Sequence, residues 1–285
     1  MIQTYSVREP EAQSVIPLLF DSPHSGIQFP ADFSCCASIE QLKTGWDAFV
    51  DELWEGVVLH GAVLQRAHYS RMFIDLNRAI DDIDPTLLAF PSSECKPTQY
   101  SERGMGLIRR FALPGVALYS QPLEIDEIKM RVRDYYLPYH NALRNKLNIL
   151  HERFGQVWHV DCHSMKSKGN TMNIDSGESR PDVILGDNDG LTCDPEFVQT
   201  VEDAFTRLGY KVLRNMPYKG GYLVTHNAKP DVGRYSMQIE INRALYMDEQ
   251  QYKPNEQFAL LRKDLDSVAC TMASYIREHL QLDKQ

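Results

Sequence analysis

The chain has 285 residues, 43% hydrophobic and 24% charged, a balance that supports a folded protein with a sizeable core and excludes a disordered one. Its 30 basic and 39 acidic residues leave a formal charge of -9, and no dense Lys/Arg run exists to track a phosphate backbone, so nucleic acid is excluded as a partner. Six cysteines without a CxxC pair are too sparse for a disulfide scaffold or a thiolate zinc site, and any metal must rely on His and carboxylate ligands.

The N-terminal MIQTYSVREPEAQ is polar, without the apolar core of a signal peptide, and no stretch approaches transmembrane length. A cytoplasmic protein with no membrane partner is the expectation. The run SVIPLLF at 14–20 reads as a buried strand opening into the turn DSPHSG, which carries His24. From Gln41 to Leu59 apolar residues recur at three- and four-residue steps, predicting an amphipathic helix with Asp47 near its start. Strands are predicted at 62–64 and 72–76, and 80–118 reads as a long irregular excursion that shapes the active site. A helical pattern over 124–153 is interrupted by Pro138, which predicts a kink or a split. The strand at 157–160 runs into DCHSM, placing His163 just past its end. A helix at 204–208, strands at 211–213 and 237–241, and a final helix over 257–280 complete the pattern. Strands alternating with helices, with no repeat or linker, predict one α/β domain over 1–285 with a mixed central sheet flanked by helices, binding ligands at the carboxyl ends of strands.

His24 and His163 both fall at such strand ends and are candidates for a metal site, which needs one further acidic ligand and an open position. Each alone is more simply a hydrogen-bonded loop residue. Asp47 is by itself more simply a helix cap, with Asp51 and Glu52 as neighbouring competitors. Asp161, two residues before His163, would share its face of a strand and orient the ring. Arg71, Asp75, Asn77 and Arg78 crowd one segment, a density suited to holding a carboxylate or to a structural ion-pair network. Glu240 lies in an apolar strand, where burial raises a carboxyl pKa towards that of a general base, unless Arg243 pairs with it. Gly220 and Gly221 after Lys219 permit close backbone approach or make a plain turn. Cys162 points to the opposite face from His163 and is discounted as a nucleophile.

Taken in order, PLLFDSPHSG, WDAFVDELW, YSRMFIDLNRA, YLPYHNAL, HVDCHSM, YKGGY and QIEINRALYMDE resemble the N-formylglutamate amidohydrolases over nearly the whole chain. The resemblance implies a zinc-carboxypeptidase-like fold of the phosphorylase/hydrolase kind, with one zinc, or another divalent ion, on His24, Asp47 and His163. It implies Glu240 as the catalytic carboxylate, Asn77 and Arg78 as the pair that grips a substrate carboxylate, and Arg71 as an assisting arginine in catalysis and binding. Gly220 and Gly221 would border the substrate. The implied activity is hydrolysis of N-formyl-L-glutamate, or of a related small N-acyl amino acid, within histidine degradation. After the glycine pair the family pattern has a Thr-Arg step, whereas this chain reads YLVTHNAKP, leaving His226 to substitute. A metallopeptidase, another N-acyl amidase or a metal-free carboxylate-binding module are the competing expectations.

Overall fold

A computed structural model describes residues 2–90 and 92–282. In chain order it has β1 (Tyr5–Arg8), β2 (Leu18–Ser22), the one-turn helices α1 (Ile39–Leu42) and α2 (Val50–Leu53), β3 (Val63–Ala67) and the short α3 (Gln99–Glu102). A small hairpin of β4 (Phe111–Leu113) and β5 (Val116–Ala117) precedes α4 (Ile125–Arg131) and α5 (Leu137–Phe154). Then come β6 (Val157–Met165), β7 (Val183–Gly186), α6 (Pro195–Arg207), β8 (Val212–Arg214), α7 (Tyr222–Asn227), β9 (Arg234–Asn242) and α8 (Phe258–Leu280).

Seven strands form one mixed sheet in the order β1-β3-β2-β6-β9-β7-β8. β3, β2, β6 and β9 run parallel, whereas β1 on β3 and β7 on β9 are antiparallel. Alternation along the central strands assigns each face. Trp158, Val160 and Cys162 of β6 and Met237, Ile239 and Ile241 of β9 pack under α6 and α8, joined by Phe197, Val201, Leu265 and Val268. On the other face Leu19 and Val63 pack against Tyr139, Leu143 and Leu147 of α5. Each fully buried Leu or Ile there contributes about 1.5–3 kcal/mol relative to exposure. On the α5 face β6 carries His159, Asp161 and His163, and β9 carries Ser236, Gln238 and Glu240, all of them buried. Polar residues on a buried face need partners, and that requirement builds the site.

Three expected elements differ. The helix predicted over 41–59 is a series of separate short turns, because Gly45 closes a 3₁₀ turn and Phe49 takes a left-handed φ of 62°. Asp47 therefore lies in the extended step between turns, and its N–H donates to His24 O at 3.1 Å. The strand predicted at 72–76 is a succession of turns whose Met72, Phe73 and Ile74 are each buried without a ladder. Pro138 does not split its helix: a π-helical stretch at Val132–Tyr136 joins α4 to α5 directly before the proline and loosens the turn in which it has no N–H to donate. No helix among the described residues is long and apolar enough to cross a membrane.

Candidate active site

β6 extends through Met165, so His163 lies within the strand and not past its end, as the sequence suggested. Register pairs it with Glu240 on β9 and pairs Asp161 with Gln238. His24 comes from the turn after β2, and Asp47 from the extended step tied to that turn. The three side chains are buried, and their ligand atoms converge within 4.8 Å of one another. His163 Nδ1 lies 3.0 Å from Asp47 Oδ2 and 3.0 Å from His24 Nδ1, and His24 Nδ1 lies 3.5 Å from Asp47 Oδ2. Tetrahedral coordination with bonds of 2.0–2.1 Å places ligand atoms about 3.3 Å apart, so this triangle has the dimensions of one face of a metal tetrahedron. Asp51 instead pairs with Arg66 at 2.9 Å, and Glu52 is exposed, which leaves Asp47 as the acid at the convergence.

The remote ring nitrogens are fixed as metal-binding imidazoles require. His24 Nε2 donates to Asp75 Oδ1 at 2.7 Å, leaving Nδ1 as the electron-pair donor. His163 Nε2 makes a 2.8 Å contact with Asp161 Oδ1. Asn77 Nδ2 donates to Asp161 Oδ2 at 3.0 Å, while its Oδ1 accepts from Leu223 N at 2.8 Å. Asn77 thus locks the His163 pair to the start of α7. A Cβ on Gly221 would fall 2.4–2.6 Å from the Asn77 amide, so the glycine serves this contact. Gly220 takes a φ of +116°, a conformation that requires glycine.

Charges are strongly coupled. Burial opposes ionisation of Asp47, but His163, His24 and Arg243 outweigh it and hold the carboxyl well below its usual range. Burial likewise opposes charge on His163, and Asp161 and Asp47 outweigh it, raising the imidazole well above its usual value. His24 is lowered by burial and by Arg71. Glu240 is raised to about 7, chiefly by burial, with His163 opposing and Asp47 adding. Gln238 Nε2 donates to Glu240 Oε1 at 2.8 Å.

Arg71 donates through Nε and Nη2 to Asp75 Oδ2 at 2.9 and 2.7 Å. Arg78 donates to the carbonyls of Met105 and Asn77 and lies 4.0 Å over the Tyr100 ring. Both line the cavity beside His24, Asp47 and His163, as do Gly220, Gly221 and Glu240, and the 80–118 excursion adds Tyr100, Met105 and Arg109 to its wall. His226 is not brought to the site: it is exposed on α7, stacked on Tyr222 at 4.8 Å, and absent from the cavity lining. One turn of a short helix separates it from the loop that faces the cavity. Cys162 is buried on the opposite face, and burial raises its thiol well above the usual range.

Arg243 does not pair with Glu240. Its Nη2 donates to Asp47 Oδ1 at 2.8 Å and its Nε to Ser164 Oγ at 3.1 Å. Gln238, Arg109 and Lys166 were not singled out from the sequence. Strand period alone would have found Gln238, two residues from Glu240 on the same face, whereas Arg109 and Lys166 reach the cavity through loop geometry that has no period.

A model of the family described as N-formylglutamate amidohydrolase matches residues 16–247. The chain is 30% identical over 239 residues to the N-formylglutamate deformylase of Pseudomonas aeruginosa, covering 82% of this chain and 84% of that one. It is 29% identical to the Pseudomonas putida protein of the same name, covering 83% and 84%. The crystal structure of an N-formylglutamate amidohydrolase from Ralstonia eutropha JMP134 superposes with a TM-score of 0.92 at 40% identity, covering 98% of this chain and 100% of that one.

Proposed function

The chain belongs to the N-formylglutamate amidohydrolase family, and on that premise we propose that it hydrolyses the amide of N-formyl-L-glutamate or a closely related N-acyl amino acid, with one zinc ion on His24, Asp47 and His163. The observation that carries this reading is the triangle of two Nδ1 atoms and one Oδ2 with edges of 3.0, 3.0 and 3.5 Å, beside a buried carboxyl near neutrality. Two imidazoles and a carboxylate with braced outer nitrogens suit zinc, and other first-row divalent ions accept the same donors. When bound, the ion supplies Lewis-acid chemistry, polarising the amide carbonyl and making water acidic near neutral pH.

The remaining steps belong to the chain's own residues. Glu240 Oε1 is taken by Gln238, so Oε2 accepts the proton of the attacking water. A C–O bond forms, the amide C–N bond breaks, and Oε2 returns the proton to the leaving amine nitrogen, releasing the acid and the free amino acid. A carboxyl near 7 is suited to both transfers. Arg71 Nη1 is not used by Asp75 and lies 4.0 Å from Asp47 Oδ1, so it is free to stabilise the developing oxyanion, while Arg78 holds the α-carboxylate in register. Asn77 works as a positioning residue, its amide being engaged by Asp161 and Leu223.

Glu240→Gln keeps size and hydrogen-bonding shape but cannot take a proton. It should lower kcat by about 10²–10⁴-fold while zinc content stays at the wild-type level, measured by steady-state formate release and elemental analysis of the same preparation. Wild-type turnover in this variant would reject the assigned role.

A further inference from the structure

The cavity holds more cationic side chains than its own acids neutralise. Arg71 is committed to Asp75, Arg243 to Asp47, and Arg180 to Asp175 through bonds of 2.6 and 2.8 Å. Arg78, assigned above to the α-carboxylate, bonds only to carbonyls, and among the described residues two further cations of the lining have no close carboxylate partner. Arg109 is 8% exposed, its buried Nε has no hydrogen-bond acceptor, and its nearest acid oxygen is Asp75 Oδ2 at 3.9 Å. That carboxylate is already saturated: Oδ1 accepts from His24 and from Asn77 N, and Oδ2 accepts twice from Arg71. Lys166, half-buried just beyond the end of β6, lines the same cavity. The acid that faces it, Glu249, spends both oxygens on the N–H and hydroxyl of Ser167.

We propose that Arg109 and Lys166 form a second anion subsite, separate from Arg78, which takes the side-chain carboxylate of an N-acyl amino diacid and makes the enzyme selective for dianionic substrates. The inference rests on the hydrolase reading above. Its physical basis is the cost of leaving buried cations unpaired, which a carboxylate relieves and a neutral side chain does not. Burial and the surrounding Arg243 press the Lys166 ammonium down to about 8, with Glu249 opposing and Arg109 and Arg180 adding. Burial and Arg71 likewise disfavour charge on Arg109. An arriving anion removes both penalties. The exposed His226, outside the cavity lining, takes no part in this recognition.

The test is the ratio of kcat/KM for N-formyl-L-glutamate to that for its neutral isostere N-formyl-L-glutamine, in zinc-loaded wild type, Lys166→Met and Lys166→Arg. The Lys166 ammonium makes no hydrogen bond among the described residues, and its carbonyl bond to Arg180 is independent of the side chain, so both variants should fold. Wild type should prefer the glutamate compound by at least about tenfold. Lys166→Met should collapse that ratio towards one, mainly through KM for the glutamate compound, and Lys166→Arg should restore it. A wild-type ratio near one, or a Lys166→Met variant that loses both activities in proportion, would overturn the subsite while leaving the hydrolase intact. Turnover of neither compound by the wild type would overturn the hydrolase reading, and the subsite with it.

Discussion

Asp75 and Asp161 never face the cavity centre, yet they decide which nitrogen of each imidazole is available. Asp75 holds His24 Nε2 at 2.7 Å and Asp161 lies 2.8 Å from His163 Nε2, so both Nδ1 atoms are aimed inward before any ion arrives. Asp75→Asn or Asp161→Asn should therefore weaken zinc binding by about 10–100-fold, read by competition with a chromophoric chelator; unchanged affinity would show that packing alone orients the rings. Acidity acts on the same atoms. In the metal-free chain, Asp161 and Asp47 hold His163 well above its ordinary 6.5 against the opposing effect of burial, so the folded protein carries a proton there that coordination must displace. Zinc affinity should fall on going from about pH 8 to about pH 6, with net proton release in calorimetry using buffers of different ionisation enthalpy. The sign for metal-free stability follows from the same raised value: His163's contribution is fully present below the unfolded pKa and is lost as pH rises through the folded one.

The elements that carry these residues differ in how plainly the sequence announces them. β9 alternates polar and apolar residues over all nine positions and β6 over Trp158–His163, a period that puts Asp161 and His163 on one face of β6 and Gln238 and Glu240 on one face of β9. The two loops that complete the site have no such signal. Apolar residues at helical spacing over 41–59 are buried by a series of separate turns, because the left-handed Phe49 and the 3₁₀ turn at Gly45 are decided by packing against the His24 turn. The Arg71–Arg78 segment is held by side-chain bonds to Asp75 and not by a ladder, so a strand pattern misreads it. The family resemblance singled out Asp47 over Asp51 and Glu52, a choice that local spacing could not make. Gly221 links the two levels. Gly221→Ala would drive a Cβ to within 2.4–2.6 Å of the Asn77 amide, displacing the clamp on Asp161. The variant should lose about 1–3 kcal/mol in denaturant melts and at least about tenfold in kcat/KM. A fully active and stable variant would mean that Asn77 has room to move.

At the scale of the whole molecule, the three proposed ligands come from the β2 turn, the step before α2 and the carboxyl-terminal part of β6, so one ion would crosslink segments that are far apart in the chain. Zinc at about a thousand times its Kd should add about 4 kcal/mol to folding free energy and raise Tm by several degrees, an increment that chelation removes. Identical melting curves with and without zinc would argue against a folded-state site. The most direct measurement joins metal content to chemistry: zinc per chain and formate release from N-formyl-L-glutamate, on protein purified without chelator, beside His163→Ala. The account predicts one zinc per wild-type chain with formate release, and loss of both in the variant. Formate release that survives in His163→Ala, or in wild-type protein stripped of metal, would contradict it.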